Sequence, residues 1–381
     1  MPMPSIAIIC GNYVNAYSIV QSLCALGWPG RIACLKACGA GPVLTELLGK
    51  HVETWETDFS SPADLIAFLQ QELPPDQPKV VFFTDERFHQ AFRCEAESPQ
   101  LSNTRFFVGS TSHLGTILDR HAFYLFLEEH QLAQVPRTVP GDADPWLALS
   151  DCFLLRLKQS WNGMQKLPRV EVISTRRQLQ QSIAALKAAG LREQDWCFQE
   201  LLSVSPRHNV SVCGWHDRQS PIHLATRKVL QHPANTGNGD VCELLEPMPE
   251  LVETAARVLD ALEYSGPFEL EFALDTKTNT YKVIELNPRF WMQHALVGAV
   301  TGEELVRRYV GLDLAAPAPR AAKYWVNTVY TVFRLLRGDA RVLRYLAGRA
   351  EKIPSWSVTM HWLPRYAAAW ARRVAGRKSR G

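Results

Sequence analysis

The residues best suited to chemistry are concentrated in PFELEFALDTKTNTYKVIELNP, residues 267–288. FELEFAL alternates, so Phe268, Leu270, Phe272 and Leu274 share one strand face and Glu269, Glu271 and Ala273 the other. YKVIELN alternates too and puts Glu285 and Asn287 together. The intervening DTKTNT is rich in turn formers, which predicts an antiparallel hairpin. With symmetry about residue 278, Glu271 lies opposite Glu285 and Glu269 opposite Asn287. Carboxylates directly across a strand pair repel. A hard divalent cation reverses that term, and carboxylate and amide oxygens are donors that magnesium prefers. Magnesium keeps positions open for phosphate oxygens, so such a site implies nucleotide chemistry. A solvated polar face with Lys282 or Arg289 nearby fits the same alternation.

The run GPFELEF…YKVIELNPRFW resembles the signature of the ATP-grasp superfamily, which includes D-alanine–D-alanine ligase and biotin carboxylase. The resemblance extends over roughly residues 5–310. It implies that Glu271, Glu285 and Asn287 hold magnesium at the ATP phosphates, as two ions with manganese as a substitute. Arg289 then faces the transferred phosphate or the acyl phosphate. DRHAFYLFLEEHQLAQVPRTV resembles the helix and loop that enter the ATP lobe, with Arg120 where the family usually has lysine. Arginine keeps the charge but presents a planar fork rather than a point charge. CFLLRLKQSWNG resembles the strand whose lysine, here Lys158, reaches the α- and β-phosphates. The lid loop after it holds only Asn162-Gly163 and is poorer in glycine than the family's. WCFQELLSV resembles the hinge strand that cradles adenine, which implies nucleotide contacts at Gln199, Glu200, Leu201 and Leu202. Glu200 would take the exocyclic amine, and the peptides of Leu201 and Leu202 would read the purine edge. Asn209 lies nearest the ribose-contacting position. ATRKVL supplies Lys228 for the terminal phosphates, beside Arg227. Taken as bare residues, Arg120 and Lys158 fit equally well as solvated charges at a helix start and a strand end.

The elements that must position these groups read as mixed α/β, with α+β lobes. Strands at 5–10, 31–35 and 80–84 alternate with helices at 15–27 and 62–73, which predicts a doubly wound N-terminal lobe over 1–113. Its first turn, Cys10-Gly11-Asn12, is no dinucleotide fingerprint and reads as a tight strand-to-helix turn. An ATP-grasp domain is expected over 114–314, with a lid subdomain at about 150–200. It contains helices at 118–131, 176–189 and 249–264, strands at 152–158, 170–173 and 196–203, and two antiparallel strands within 207–230. The Pro/Ala stretch at 314–322 reads as a linker to a basic helical extension over 315–381.

Composition sets broad bounds. The 381 residues are 46% hydrophobic and 21% charged, which fits two or three compact lobes of an ordinary globular protein. Nine scattered cysteines without CxxC spacing, including Cys10, Cys24, Cys34 and Cys38, are expected as buried reduced thiols. The N-terminus has no basic leader before its short apolar run and is expected as a first strand of a cytoplasmic protein. Net charge is only +3, yet residues 320–381 hold fourteen Lys or Arg and two acids. That segment could pack on the ATP lobe or a second subunit in a homodimer, or lie peripherally on an anionic membrane. Nucleic acid is not expected as a partner.

The resemblance implies an ATP-dependent ligase that activates a small-molecule carboxylate as an acyl phosphate for attack by an amine. Positioning and charge neutralisation suffice for that chemistry. This accords with the absence of a Ser-His-Asp or Cys-His signature. Two alternatives remain open: a catalytically silent nucleotide-binding scaffold, and an ATP-dependent carboxylase-type enzyme.

Overall fold

The computed structural model describes residues 4–11, 14–37, 52–57, 59, 61–86, 88–89, 92–93, 101–149, 151–162, 165–166, 171–204, 208–232, 238–311, 313–347, 349–353 and 359. Strands β1 (Ile6–Cys10), β2 (Arg31–Ala37), β3 (Val52–Thr57), β4 (Lys79–Phe83) and β5 (Thr104–Arg105) form a parallel sheet in the order β3-β2-β1-β4-β5. β1 and β4 are buried throughout, which is why IAIIC and KVVFF read as unbroken apolar runs. Helix α1 (Val14–Ala25) follows β1, and α2 (Pro62–Glu72) precedes β4. Ser61 and Asp64 close a reciprocal capping box at the start of α2, with Pro62 in its first turn. The chain leaves β1 through Gly11 at φ 138°, where a Cβ would meet Thr84 Oγ1 at 1.9 Å. That turn therefore requires glycine; Asn12 lies outside the described residues.

Among the described cysteines, Cys10, Cys34, Cys197, Cys213 and Cys242 are buried as expected. Cys24 departs from expectation and is exposed, because it projects from the outer side of α1. Cys38 and Cys94 lie outside the described residues.

The helix expected over 118–131 is two helices, α3 (Leu114–Leu118) and α4 (Arg120–Glu129). Asp119 divides them: its extended backbone stops the first helix, and its carboxylate accepts from the His121 and Ala122 amides to cap the second. Next comes a four-stranded antiparallel sheet. Its strands are β6 (Thr138–Pro140), β7 (Phe153–Leu157), β10 (Glu171–Ile173) and β11 (Trp196–Glu200), in the order β10-β7-β11-β6. Between β7 and β10 runs a two-stranded ribbon of β8 (Trp161–Asn162) and β9 (Gln165–Lys166). Gly163 of the expected lid turn lies outside the described residues. Phe153, Leu155, Leu157, Trp196 and Phe198 pack on Leu186 of helix α5 (Arg176–Ala188), leaving Arg156, Cys197 and Gln199 for the opposite face.

The largest sheet has seven strands in the order β16-β15-β12-β13-β14-β17-β18. They are β12 (Asn209–His216), β13 (Ile222–His232), β14 (Asn238–Leu244), β15 (Gly266–Asp275), β16 (Thr280–Asn287), β17 (Tyr324–Asn327) and β18 (Ala350–Ile353). Helix α6 (Pro249–Ala261) packs Leu251, Ala255, Val258 and Leu259 behind the β15–β16 hairpin, with Phe123, Tyr124 and Leu127 of α4 beside them. Residues 315–353, expected as a helical extension, hold helix α7 (Thr328–Leu336) but also lend β17 and β18 to this sheet. β17 and β18 are parallel, so the chain must cross over between them, and α7 lies in that crossover. Tail residues 362–378 lie outside the described residues. No helix among the described residues is long and apolar enough to cross a membrane.

Candidate active site

The expected hairpin forms with the expected pairs: Glu271 opposite Glu285, and Glu269 opposite Asn287. Its symmetry about residue 278 holds only at that end. Phe272 pairs with Val283 rather than Ile284, so Ile284 is an extra residue in β16. This bulge reverses which residues share a face. Strict alternation would put Val283 with Glu285 and Asn287, whereas Val283 is fully buried in the core with Phe272 and Leu286. Lys282 takes the place on the polar face instead. The bulged Ile284 carbonyl accepts from the Tyr124 hydroxyl at 2.6 Å, which ties the bulge to α4. Burial pushes the Tyr124 phenol up to about 12, so it stays a donor.

Each carboxylate of the opposed pair meets a cation from another element. Lys228 of β13 lies 2.6 Å from Glu271 Oε2. Glu285 Oε2 lies 3.2 Å from Arg120 Nη2 at the start of α4 and 3.7 Å from Arg156 Nη2 on β7. Burial alone would push the Glu285 carboxyl up, but Arg120, Arg156, Lys228 and Arg289 together hold it down at about 2. Glu269 is the reverse case: burial and then the Glu271 charge raise it to about 7. Its oxygens accept from Asn287 Nδ2 at 3.2 Å and from Gln293 Nε2 at 2.6 Å. Arg289 donates to Asn287 Oδ1 at 3.0 Å and reaches Glu86 beyond the end of β4 at 3.3 Å. Glu271, Glu285, Asn287, Lys228, Arg120 and Arg289 thus form one connected polar cluster.

The expected base-binding residues lie to one side. Glu200 ends β11, where its Oε1 accepts from Lys282 Nζ at 2.5 Å and from the Arg137 amide at 2.8 Å. Gln199 accepts from Arg156 Nη1 at 2.8 Å. Leu201 is exposed and Leu202 half-buried in the irregular segment after β11. Asn209 opens β12 opposite Ala273. Lys158 follows β7 and is half-buried; its carbonyl receives the Arg120 amide at 2.9 Å, and its ammonium has no ion pair among the described residues. Two open surface cavities, of about 290 and 490 Å³, lie by Arg227 and Tyr324 and by His216 and Asp260; no residue of the carboxylate cluster lines them.

Two carboxylates and a side-chain amide are hard oxygen donors, the set that suits magnesium. Among the described residues no three His, Cys, Asp or Glu side chains converge as a closed cage. An ion that keeps waters and phosphate oxygens needs no such cage.

The family model for the carbamoyl-phosphate synthase L chain ATP-binding domain matches residues 244–318, which contain the hairpin. The N-terminal section of the carbamoyl phosphate synthase large chain of Methanopyrus kandleri is 31% identical over 107 residues, 28% of this chain and 16% of that relative. The chain thus covers well under two thirds of that curated relative's length. The biotin carboxylase domain of Hydrogenobacter thermophilus 2-oxoglutarate carboxylase, solved with MgADP and bicarbonate, aligns with a TM-score of 0.62. That alignment covers 85% of this chain and 74% of the other at 12% identity. The chain has the ATP-grasp fold. The L-amino acid ligase of Bacillus licheniformis shares it, with a TM-score of 0.56 over 82% of this chain and 75% of that one at 13% identity.

Three residues that complete the cluster, Arg156, Glu86 and Gln293, were not singled out from the sequence, and Lys282 was placed only beside a solvated polar face. Arg156 was within reach, because alternation in FLLRLK puts it on the face of Lys158. The pairing of Lys282 with Glu200 was hidden by the bulge. Glu86 and Gln293 are brought in only by tertiary packing.

Proposed function

We propose that the protein is an ATP-dependent carboxylate–amine ligase. The observation that carries this is the in-register Glu271–Glu285 pair, each carboxylate already neutralised by a cation from a different element. A bare divalent ion would have to displace those cations. With a triphosphate bound as well, Glu271 and Glu285 would hold the ion, and Lys228 and Arg120 would be released to bind the phosphates. In this reading Glu271, Glu285 and Asn287 would hold two magnesium ions, or manganese, which when bound supply charge neutralisation at the phosphoryl group.

The chain's own residues do the rest. Lys158 and Lys228 bind the phosphates, and Arg289 faces the transferred group. Gln199, Glu200 and the Leu201 and Leu202 peptides hold the base, with Asn209 toward the ribose. A substrate carboxylate oxygen attacks the γ-phosphorus and the bond to the β-bridging oxygen breaks, releasing ADP. An amine then attacks the acyl carbon, phosphate leaves, and the nitrogen loses a proton. We read residues 1–113 as the pre-ATP lobe, 114–314 as the ATP-grasp domain with its lid at about 150–200, and 315–381 as a basic extension. A cytoplasmic protein that dimerises, or touches an anionic membrane through that extension, fits the charge distribution.

The test is ADP and phosphate release by the full chain with Mg-ATP across pairs of carboxylates and amines, with bicarbonate as a separate arm. Release that needs both a carboxylate and an amine supports the ligase. Release with bicarbonate alone moves the reading to a carboxylase-type enzyme. Failure to bind Mg-ATP rejects both.

A further inference from the structure

Arg156 stands out among the charged residues near the cluster, because it is nine-tenths buried yet incompletely paired. It is 8% exposed, in the middle of β7, opposite Cys197 of β11. One Nη donates to Gln199 at 2.8 Å, and the other stands 3.7 Å from Glu285, beyond hydrogen-bonding distance. Its Nε–H is enclosed and has no acceptor. A buried guanidinium is ordinarily fully hydrogen-bonded, so a free N–H on one calls for a missing oxygen. The surrounding charge points the same way. Glu285 already has Arg120 at 3.2 Å, and Lys228 and Arg289 act on it as well. Lys228 and Arg289 have Glu271 and Glu86 as their own close partners, so Arg156 is the cation left without a carboxylate within hydrogen-bonding distance, which suits an incoming anion.

Position narrows the ligand. Arg156 and Lys158 share a strand face about 7 Å apart, two residues along β7. From Lys158, Arg156 lies in the direction of Leu154, which pairs with Gln199, and of Phe153, which pairs with Glu200. It thus sits between the phosphate-binding lysine and the base-binding hinge, where the phosphate next to the sugar would fall.

We propose that Arg156, oriented by Gln199, is a nucleotide-binding residue that donates Nε–H to an oxygen of the sugar-proximal phosphate. This assignment rests on the ATP-binding reading above and adds a cation to it. Gln199, besides its place at the base, then acts on the phosphate through Arg156.

The test compares full-length wild type, Arg156→Leu and Arg156→Lys by calorimetry. The ligands are Mg-ATP and adenosine, which keeps the base and sugar but has no phosphate. Arg156→Leu should weaken Mg-ATP about tenfold or more, the range of a charge-assisted hydrogen bond, and leave adenosine within about twofold. Arg156→Lys should recover part of the loss, since it keeps the charge without the fork. An equal loss for both ligands would show that Arg156 serves the base or the fold and would overturn the assignment, as would unchanged Mg-ATP affinity in both variants. Absence of Mg-ATP binding by the wild type is a separate result, which rejects the nucleotide reading itself.

Discussion

The hairpin and the four-stranded sheet meet across a few ångströms but contribute opposite chemistry. From the hairpin come carboxylates: Glu269, Glu271 and Glu285 on one face of two paired strands. The smaller sheet and the helix capped by Asp119 supply cations instead, in Arg156, Lys158 and Arg120. Their holding also differs. Backbone pairing and a bulge fix the hairpin groups, whereas Arg120 and Arg156 reach across on long side chains to Glu285. The carboxylates are thus the fixed half of the site, and on the proposed function the cations are the half that would change partners when a nucleotide enters.

That contrast can be broken by substitution. The largest effect is expected at the fixed half: Glu285→Gln should lower ATP-dependent turnover by about 10²–10³-fold, with little change in KM for ATP. ADP release measures it, and an effect confined to KM would contradict a fixed metal-holding role. Lys228→Gln should lower kcat/KM by about 10²-fold, because it removes a phosphate partner and also leaves the Glu271 charge uncompensated. The same assay reads it, and a fall in the apo thermal midpoint should accompany it. Glu200→Gln, at the hinge, should raise KM for ATP by about tenfold and leave kcat nearly unchanged, since it disturbs the Lys282 pair and the base contact but not the metal. A kcat effect as large as that of Glu285→Gln would erase the distinction between the two halves.

The smallest expected effect lies beside the hairpin, in the helix that begins at His294. Burial pushes the His294 imidazole down to about 4, with its Nδ1 donating to the Trp291 carbonyl and its Nε2 left without a partner. Because the folded pKa is depressed below the usual 6.5, its contribution is fully present above about 6.5 and is lost as pH falls toward 4. The thermal midpoint should therefore decline across that window. His294→Gln should flatten the slope by a few degrees over the interval, as followed by calorimetry at fixed ionic strength. An unchanged slope would place the acid sensitivity elsewhere.

Legibility followed the range of the interactions concerned. Glu269, Glu271, Glu285 and Asn287 were readable because a strand's two-residue period is local, and their pairing follows once the turn is placed. The helices expected at 62–73 and 176–189 were equally local, and α2 and α5 begin where expected, with Ser61 and Thr175 capping them. The bulge at Ile284 was not readable, since an extra residue leaves the alternating text intact and merely changes its partner. The burial of Lys282 against Glu200 followed from that bulge, and the strands β17 and β18 were masked by a basic, helix-forming composition.

By itself the sequence determined the chemistry available, namely hard oxygen donors at alternating positions and basic residues in an ordered series before them. Residue type and strand period require no knowledge of the rest of the chain. Only the tertiary structure decided which cation each carboxylate holds. It placed Arg156 between Gln199 and Glu285 with an unfilled donor, and it carried Glu86 from the first sheet to Arg289. Those contacts join residues that are tens to hundreds of positions apart, and packing and charge select among the partners that the sequence leaves equally open.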